Sequence, residues 1–188
     1  MPTRLPHFPR LTWLAPFSLL AGCTGIPEGT RAVSDFELEP FLGDWYEIAH
    51  LPHRFEDGLA CLTATYRRQA DGGIRVINRG YSLTEGSWDI AEGQAYFLEA
   101  PNVGRLKIGF FGAYYGGYNI LELDDDYRHA LIAGPDRDYL WILARRPLLD
   151  EATYRALVSR ARELDFPVDD LVRIAQDSSR YPPRPEPA

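Results

Sequence analysis

Between Trp45 and Arg145 the chain alternates short apolar runs with clusters of Gly, Asp, Asn and Pro. The runs are Trp45–Ala49, Thr63–Arg68, Ile74–Tyr81, Asp89–Leu98, Leu106–Phe111, Tyr118–Leu123, Arg128–Ala133 and Tyr139–Ala144. Turn signals separate them: Asp71-Gly72-Gly73, Gly86, Pro101-Asn102, the stretch Gly112–Gly117, Asp124-Asp125-Asp126 and Gly134-Pro135-Asp136. Eight such runs at close spacing, with no helical period between them, predict an antiparallel sandwich or barrel rather than a parallel α/β sheet.

Alternation orients some of these strands. Ile74, Val76 and Asn78 share one face and Arg75 and Arg79 the other, so the first set points inward and carries an amide into apolar surroundings. Leu106, Ile108 and Phe110 alternate with Lys107 and Gly109 in the same way. Tyr139–Ala144 is apolar on both faces, so its outer side must be covered. The cover is a helix: Asp150 is a good N-cap, and Tyr154, Leu157, Val158, Ala161 and Leu164 form one apolar stripe before Phe166-Pro167 stops it. Leu171–Ala175 could add an edge strand.

Composition narrows the class. The 188 residues are 45% hydrophobic, enough for one domain with a sizeable core. A net charge of −7 argues against non-specific nucleic-acid binding, which needs a cationic face. Two cysteines make no disulfide framework, and no Cys/His cluster has zinc-ligand spacing, so no metal and no cofactor is expected. Cys61, flanked by Leu59, Ala60 and Leu62, reads as a buried, inert thiol rather than a nucleophile or an interchain bridge.

The ends differ from the body. Residues 1–22 carry Arg4 and Arg10, a short apolar run from Leu11 to Ala21 and no acidic group, the layout of a secretory signal too short to span a bilayer. Leu20-Ala21-Gly22-Cys23 resembles the lipobox of bacterial lipoproteins, which implies cleavage before Cys23 and acylation of that residue. Several acyl chains on one residue suffice for stable anchoring. Loss of both arginines would leave the remainder more acidic than the full chain, so lipid rather than charge would hold it to a membrane. Thr24 follows the cysteine; among Gram-negative lipoproteins the absence of Asp there points to the outer membrane. Residues 23–35 are read as a lipidated tether, 36–176 as the folded domain and 177–188 as a Pro-rich, disordered tail.

Gly43-Asp44-Trp45-Tyr46-Glu47-Ile48-Ala49 at the head of the strand series resembles the Gly-x-Trp signature of lipocalins. Asp126-Tyr127 after the sixth strand is similar to the family's second motif, and Arg145 at the end of the eighth to its third. Gly116-Gly117-Tyr118-Asn119 and the run Gly134–Trp141 look like the bacterial outer-membrane branch, kin to apolipoprotein D. The resemblance covers about residues 36–175. It implies an all-β fold: an eight-stranded antiparallel up-and-down barrel with one C-terminal α-helix packed outside. It implies that Gly43, Trp45 and Arg145 are structural, with the guanidinium stacked on the indole. Pocket positions carried over from the family fall on Tyr66, Asn78 and Trp141, with Tyr118, Ile108 and Phe110 as further candidates.

An apolar cup with a few polar groups suits an amphipathic ligand. The resemblance implies fatty acids or lysophospholipids, carried or stored at the outer membrane on its periplasmic side in envelope maintenance or stress. A catalytic alternative rests on His50 and His53, with Glu47 and Asp57 nearby, but no nucleophile elbow, metal spacing or paired-carboxylate motif accompanies them. Tyr114 and Tyr115 in the Gly-rich stretch offer either a lid or a homodimer contact.

Overall fold

The structure is a computed structural model describing residues 24–54, 56–112 and 114–185. The expected signal and Cys23 lie outside the described residues. A short helix α1 (Leu38–Phe41) leads into β1 (Gly43–His50), followed by β2 (Leu59–Arg68), β3 (Ile74–Ser82), β4 (Ser87–Phe97), β5 (Arg105–Phe111), β6 (Tyr114–Leu123), β7 (His129–Ala133) and β8 (Leu140–Ala144). Helix α2 (Glu151–Glu163) and the short β9 (Val172–Arg173) complete the order. Every neighbouring pair is antiparallel, and β1 pairs with both β8 and β2, so eight strands close into a barrel. Closure removes the exposed edges of an open sheet. β9 adds outside the ring, beside β1.

Two apolar layers result. Inside lie Trp45, Tyr66, Ile74, Val76, Ala95, Leu106, Tyr118, Ile120, Ala130, Ile132 and Leu143, continuous with Phe36, Leu38 and Phe41 below them. Outside, Leu157 and Ala161 of α2 and Phe166 pack on Leu121, Leu131, Leu140 and Ile142 of β6–β8. Strand β8 is therefore buried on both faces, as its composition requires. Asp150 caps α2 by accepting from the Thr153 N–H at 2.9 Å.

Both flanks depart from the expectations set by their composition. Within the segment read as a tether, the Val33 N–H donates to Ile120 O, and Asn119 donates from Nδ2 to Gly25 O. Residues 24–35 thus lie along the β6 wall. The tail contains apolar and aromatic groups enough to bind locally through residue 185. Tyr181 stacks on Tyr81 at 4.2 Å, Trp88 donates its indole N–H to Pro182 O, and Gln176 donates to Glu47 O and Leu62 O. Within 177–185, read from composition as a disordered tail, Tyr181 and Pro182 make these contacts; 186–188 lie outside the described residues. The Gly112–Gly117 turn is also shorter than expected, because Gly116 and Gly117 sit in β6 opposite Ile108 and Lys107. Cys61 is buried, and burial pushes its thiol up from the ordinary value.

Candidate functional site

The closed end is built where the motifs meet. Gly43 adopts φ +93°, a left-handed conformation that a side chain would strain, and this turns the chain from α1 into β1. Two residues on, Trp45 is fully buried and donates its indole N–H to Phe41 O at 2.8 Å. The Arg145 guanidinium lies 4.0 Å from the centre of the indole. Arg145 also donates to three carbonyls: Asp44 O at 2.8 Å, Pro40 O at 2.5 Å and Tyr127 O at 3.2 Å. The Tyr127 hydroxyl oxygen in turn accepts from the Glu37 N–H at 2.8 Å. Gly43, Trp45, Tyr127 and Arg145 thus form one plug across the barrel base.

Above the plug, Tyr66 on β2 and Tyr118 on β6 bond hydroxyl to hydroxyl at 2.6 Å across the interior. Burial first, and then the neighbouring phenol's charge in the case of Tyr118, pushes its hydroxyl well above the ordinary value, while Tyr66 is raised chiefly by burial. Both stay neutral and hydrogen-bonded. Asn78 sits opposite Ala64 and Ala91 on the inward face of β3, as alternation requires. Its Oδ1 is buried with no hydrogen-bond partner. Ile108 and Phe110 of β5 pack against the inner cluster, partly buried.

The open end is polar. A bulge between Glu47 and Ala49 shifts the phase of β1, so that Ala49 joins the outer layer while Glu47 and His50 are both buried. The β1–β2 loop then returns His53 and Glu56 onto them. His50 Nδ1 is bonded to Glu47 Oε1 and lies 2.9 Å from Glu56 Oε2. His53 Nε2 lies 2.8 Å from the same oxygen. Trp141, half-buried on β8, donates its indole N–H to Glu56 Oε2 at 3.2 Å and stacks near Tyr139 and His53. Burial and the Glu56 charge push Glu47 up to about 8. For His50, burial alone would lower the value, but hydrogen bonds to Glu47 and Glu56 outweigh it and carry it up to about 9. Glu56 opposes its own burial through bonds to His50 and His53 and falls to about 2. One imidazolium is thus held between an ionised and a neutral carboxyl group.

The structure brings together two of the pocket candidates, Tyr66 and Tyr118, and places Asn78, Ile108 and Phe110 around the same interior. Trp141 belongs instead to the mouth. Its true companions include Glu56, which sequence reasoning passed over in favour of Asp57. The signal was present: His50, His53 and Glu56 recur at steps of three. The paired carboxylates, Glu47 and Glu56, lie nine positions apart in sequence, and only the loop's return unites them.

A closed cup of eight antiparallel strands, plugged by a Trp–Arg pair and opening at the other end, defines a small-ligand-binding barrel of the lipocalin class. The chain belongs to the lipocalin family: the lipocalin-like domain model matches residues 36–176. Over 153 residues it is 47% identical to the outer membrane lipoprotein Blc of Escherichia coli (strain K12), covering 81% of this chain and 86% of that protein. Blc of Vibrio cholerae is 46% identical over 159 residues, covering 84% and 93%. Apolipoprotein D of Rattus norvegicus is more distant, 30% identical over 142 residues and covering 70% and 74%. Among solved structures, insecticyanin from the tobacco hornworm Manduca sexta superposes with a TM-score of 0.67 at 22% identity, over 83% of this chain and 89% of that one.

Proposed function

We propose that this protein is an outer-membrane lipoprotein, anchored through acylated Cys23 and facing the periplasm, that binds and carries fatty acids or lysophospholipids in its barrel. The observation that carries the ligand reading is Asn78: an inward amide with its oxygen unsatisfied, on the same face of β3 as Val76 and opposite Ala64 and Ala91. A buried acceptor without a partner costs about 1–3 kcal/mol, and a ligand hydroxyl or protonated head would recover it. Each buried methylene of an acyl chain adds roughly 0.8 kcal/mol, so affinity follows chain length more than head group. The relatives in Escherichia coli and Vibrio cholerae, both outer membrane lipoproteins, support the membrane assignment.

Binding rather than catalysis is the reading for the whole chain. The mouth carboxylates and imidazoles are engaged with one another, and no serine or cysteine nucleophile is among them. Delipidated protein is expected to bind palmitate and lysophosphatidylcholine at micromolar concentration with a change in Trp141 emission. No emission change and no retained lipid would end the carrier reading. Simultaneous replacement of His50 and His53 by Gln leaves a carrier's acyl-chain binding in place and would abolish turnover by a catalyst.

A further inference from the structure

We propose that His50, His53 and Glu56 form a binding site for a divalent transition cation of the zinc type at the barrel mouth. This goes beyond the carrier reading and does not depend on it. The donor atoms, one from each residue, all lie within 4.8 Å of one another. For bond lengths near 2.0–2.1 Å, tetrahedral zinc needs donors about 3.3 Å apart. The two histidine nitrogens already lie 2.9 and 2.8 Å from Glu56 Oε2, so admitting a cation requires that carboxylate to retreat by roughly half an ångström. Two imidazoles and a carboxylate are a donor set of borderline softness, suited to zinc and poorly suited to magnesium or calcium, which require oxygen.

Three further observations fit a cation rather than a merely structural knot. The side chains are sequestered, with 6% exposure for each histidine and 13% for Glu56. A cavity of about 90 Å³ adjoins them, lined by His50, His53, Glu56, Asp57, Val172 and Ile174 among others, and it offers both an entry path and room for a non-protein ligand. The surrounding shell is partly in place: Trp141 donates to Glu56 and orients it, while Glu47, bonded to His50 Nδ1, gives up that bond when the nitrogen takes the cation. Glu56 supplies one negative charge, and Glu47, neutral in the cation-free site, supplies the second by releasing its proton when a dipositive ion binds. His50 ends β1 whereas His53 and Glu56 lie in the following loop. A bound ion would therefore pin that loop to the barrel rim.

The test uses the full-length, untagged chain in detergent, stripped with EDTA and titrated separately with Zn²⁺ and Co²⁺. The expected result is one equivalent bound per chain by calorimetry. The cobalt form should show the intense visible absorption of a four- or five-coordinate ion and should quench Trp141 emission. His53→Gln and Glu56→Gln should each weaken binding at least about tenfold, while His129→Gln, beside Asp124 at the other end of the barrel, should leave it unchanged. Circular dichroism melts confirm that each variant is folded. Should His50→Gln fail to fold, the two loop variants, which leave β1 intact, still decide the matter. No saturable binding, or binding undiminished in both loop variants, would overturn the proposal.

Discussion

The two ends of the barrel solve the same problem, a charged group drawn wholly or half out of solvent, in opposite ways. At the base, the Arg145 cation is satisfied by the face of Trp45 and by the carbonyls of Pro40, Asp44 and Tyr127. None of those partners titrates in the ordinary range, so this arrangement has one state. At the mouth, the His50 cation is satisfied by Glu47 and Glu56, groups that exchange protons with it. That arrangement has several states and can be altered by pH or by a cation. One end is thus fixed in a single arrangement and the other can change its protonation.

The comparison is broken most severely at the base. Trp45→Ala removes a fully buried indole in contact with Phe41 at 4.9 Å between ring centres. It should cost about 3–5 kcal/mol, read as a lower urea midpoint. Arg145→Leu comes next. It forfeits a stacking interaction worth roughly 1–2 kcal/mol and three hydrogen bonds to carbonyls that solvent can partly reach, so the total should fall below that of Trp45→Ala. Arg145→Lys should recover only part of this, because an ammonium cannot span three carbonyls as a planar fork does. Equal stability of the Lys variant and the parent would show that charge alone, not the fork, seals the base.

At the mouth the expected effect is one of pH, measured in EDTA. Glu47 rises from 4.5 to about 8 and His50 from 6.5 to about 9, so the folded chain holds protons that the unfolded chain has released. Stability from these two groups is present below the unfolded values and is lost as pH climbs through 8 and then 9. Glu56 falls from 4.5 to about 2, so its contribution is present above 4.5 and disappears towards 2. The urea midpoint should therefore be lower at pH 9 than at pH 6.5, and Glu47→Gln should flatten the lower part of that decline. An unchanged slope in the variant would place the titration elsewhere.

Legibility followed the same division. The base was readable because its parts are sequence-local motifs at strand ends, where Gly43, Trp45 and Arg145 each keep a fixed phase with the sheet. The inward face of β3 was readable because nine residues run without a bulge. The mouth was not, since period-two counting fails at a bulge: the shift at Glu47 to Ala49 sends Ala49 outward and turns His50 in. Glu56 was missed for a related reason. Its place depends on how a loop folds back, and no residue in Leu51–Gly58 announces that path. The tail's contacts were not legible because prolines bar helix and ladder but do not prevent Tyr181 from stacking on Tyr81.

The smallest effects distinguish fold from pocket inside the cup. Tyr66→Phe deletes one hydroxyl bond to Tyr118 and should cost about 1 kcal/mol, with the Tyr118 hydroxyl left buried. Asn78→Leu should instead leave stability unchanged or slightly raised, because it removes an acceptor that has no partner in the protein. If Asn78 serves the ligand, the same variant weakens lipid binding about fivefold to tenfold, the equivalent of one neutral hydrogen bond. A variant that lost stability but kept its lipid affinity would show that Asn78 belongs with Trp45 as architecture. The reverse pattern, weakened lipid binding at undiminished stability, would place it with the functional groups of the open end, despite its position deep in the wall.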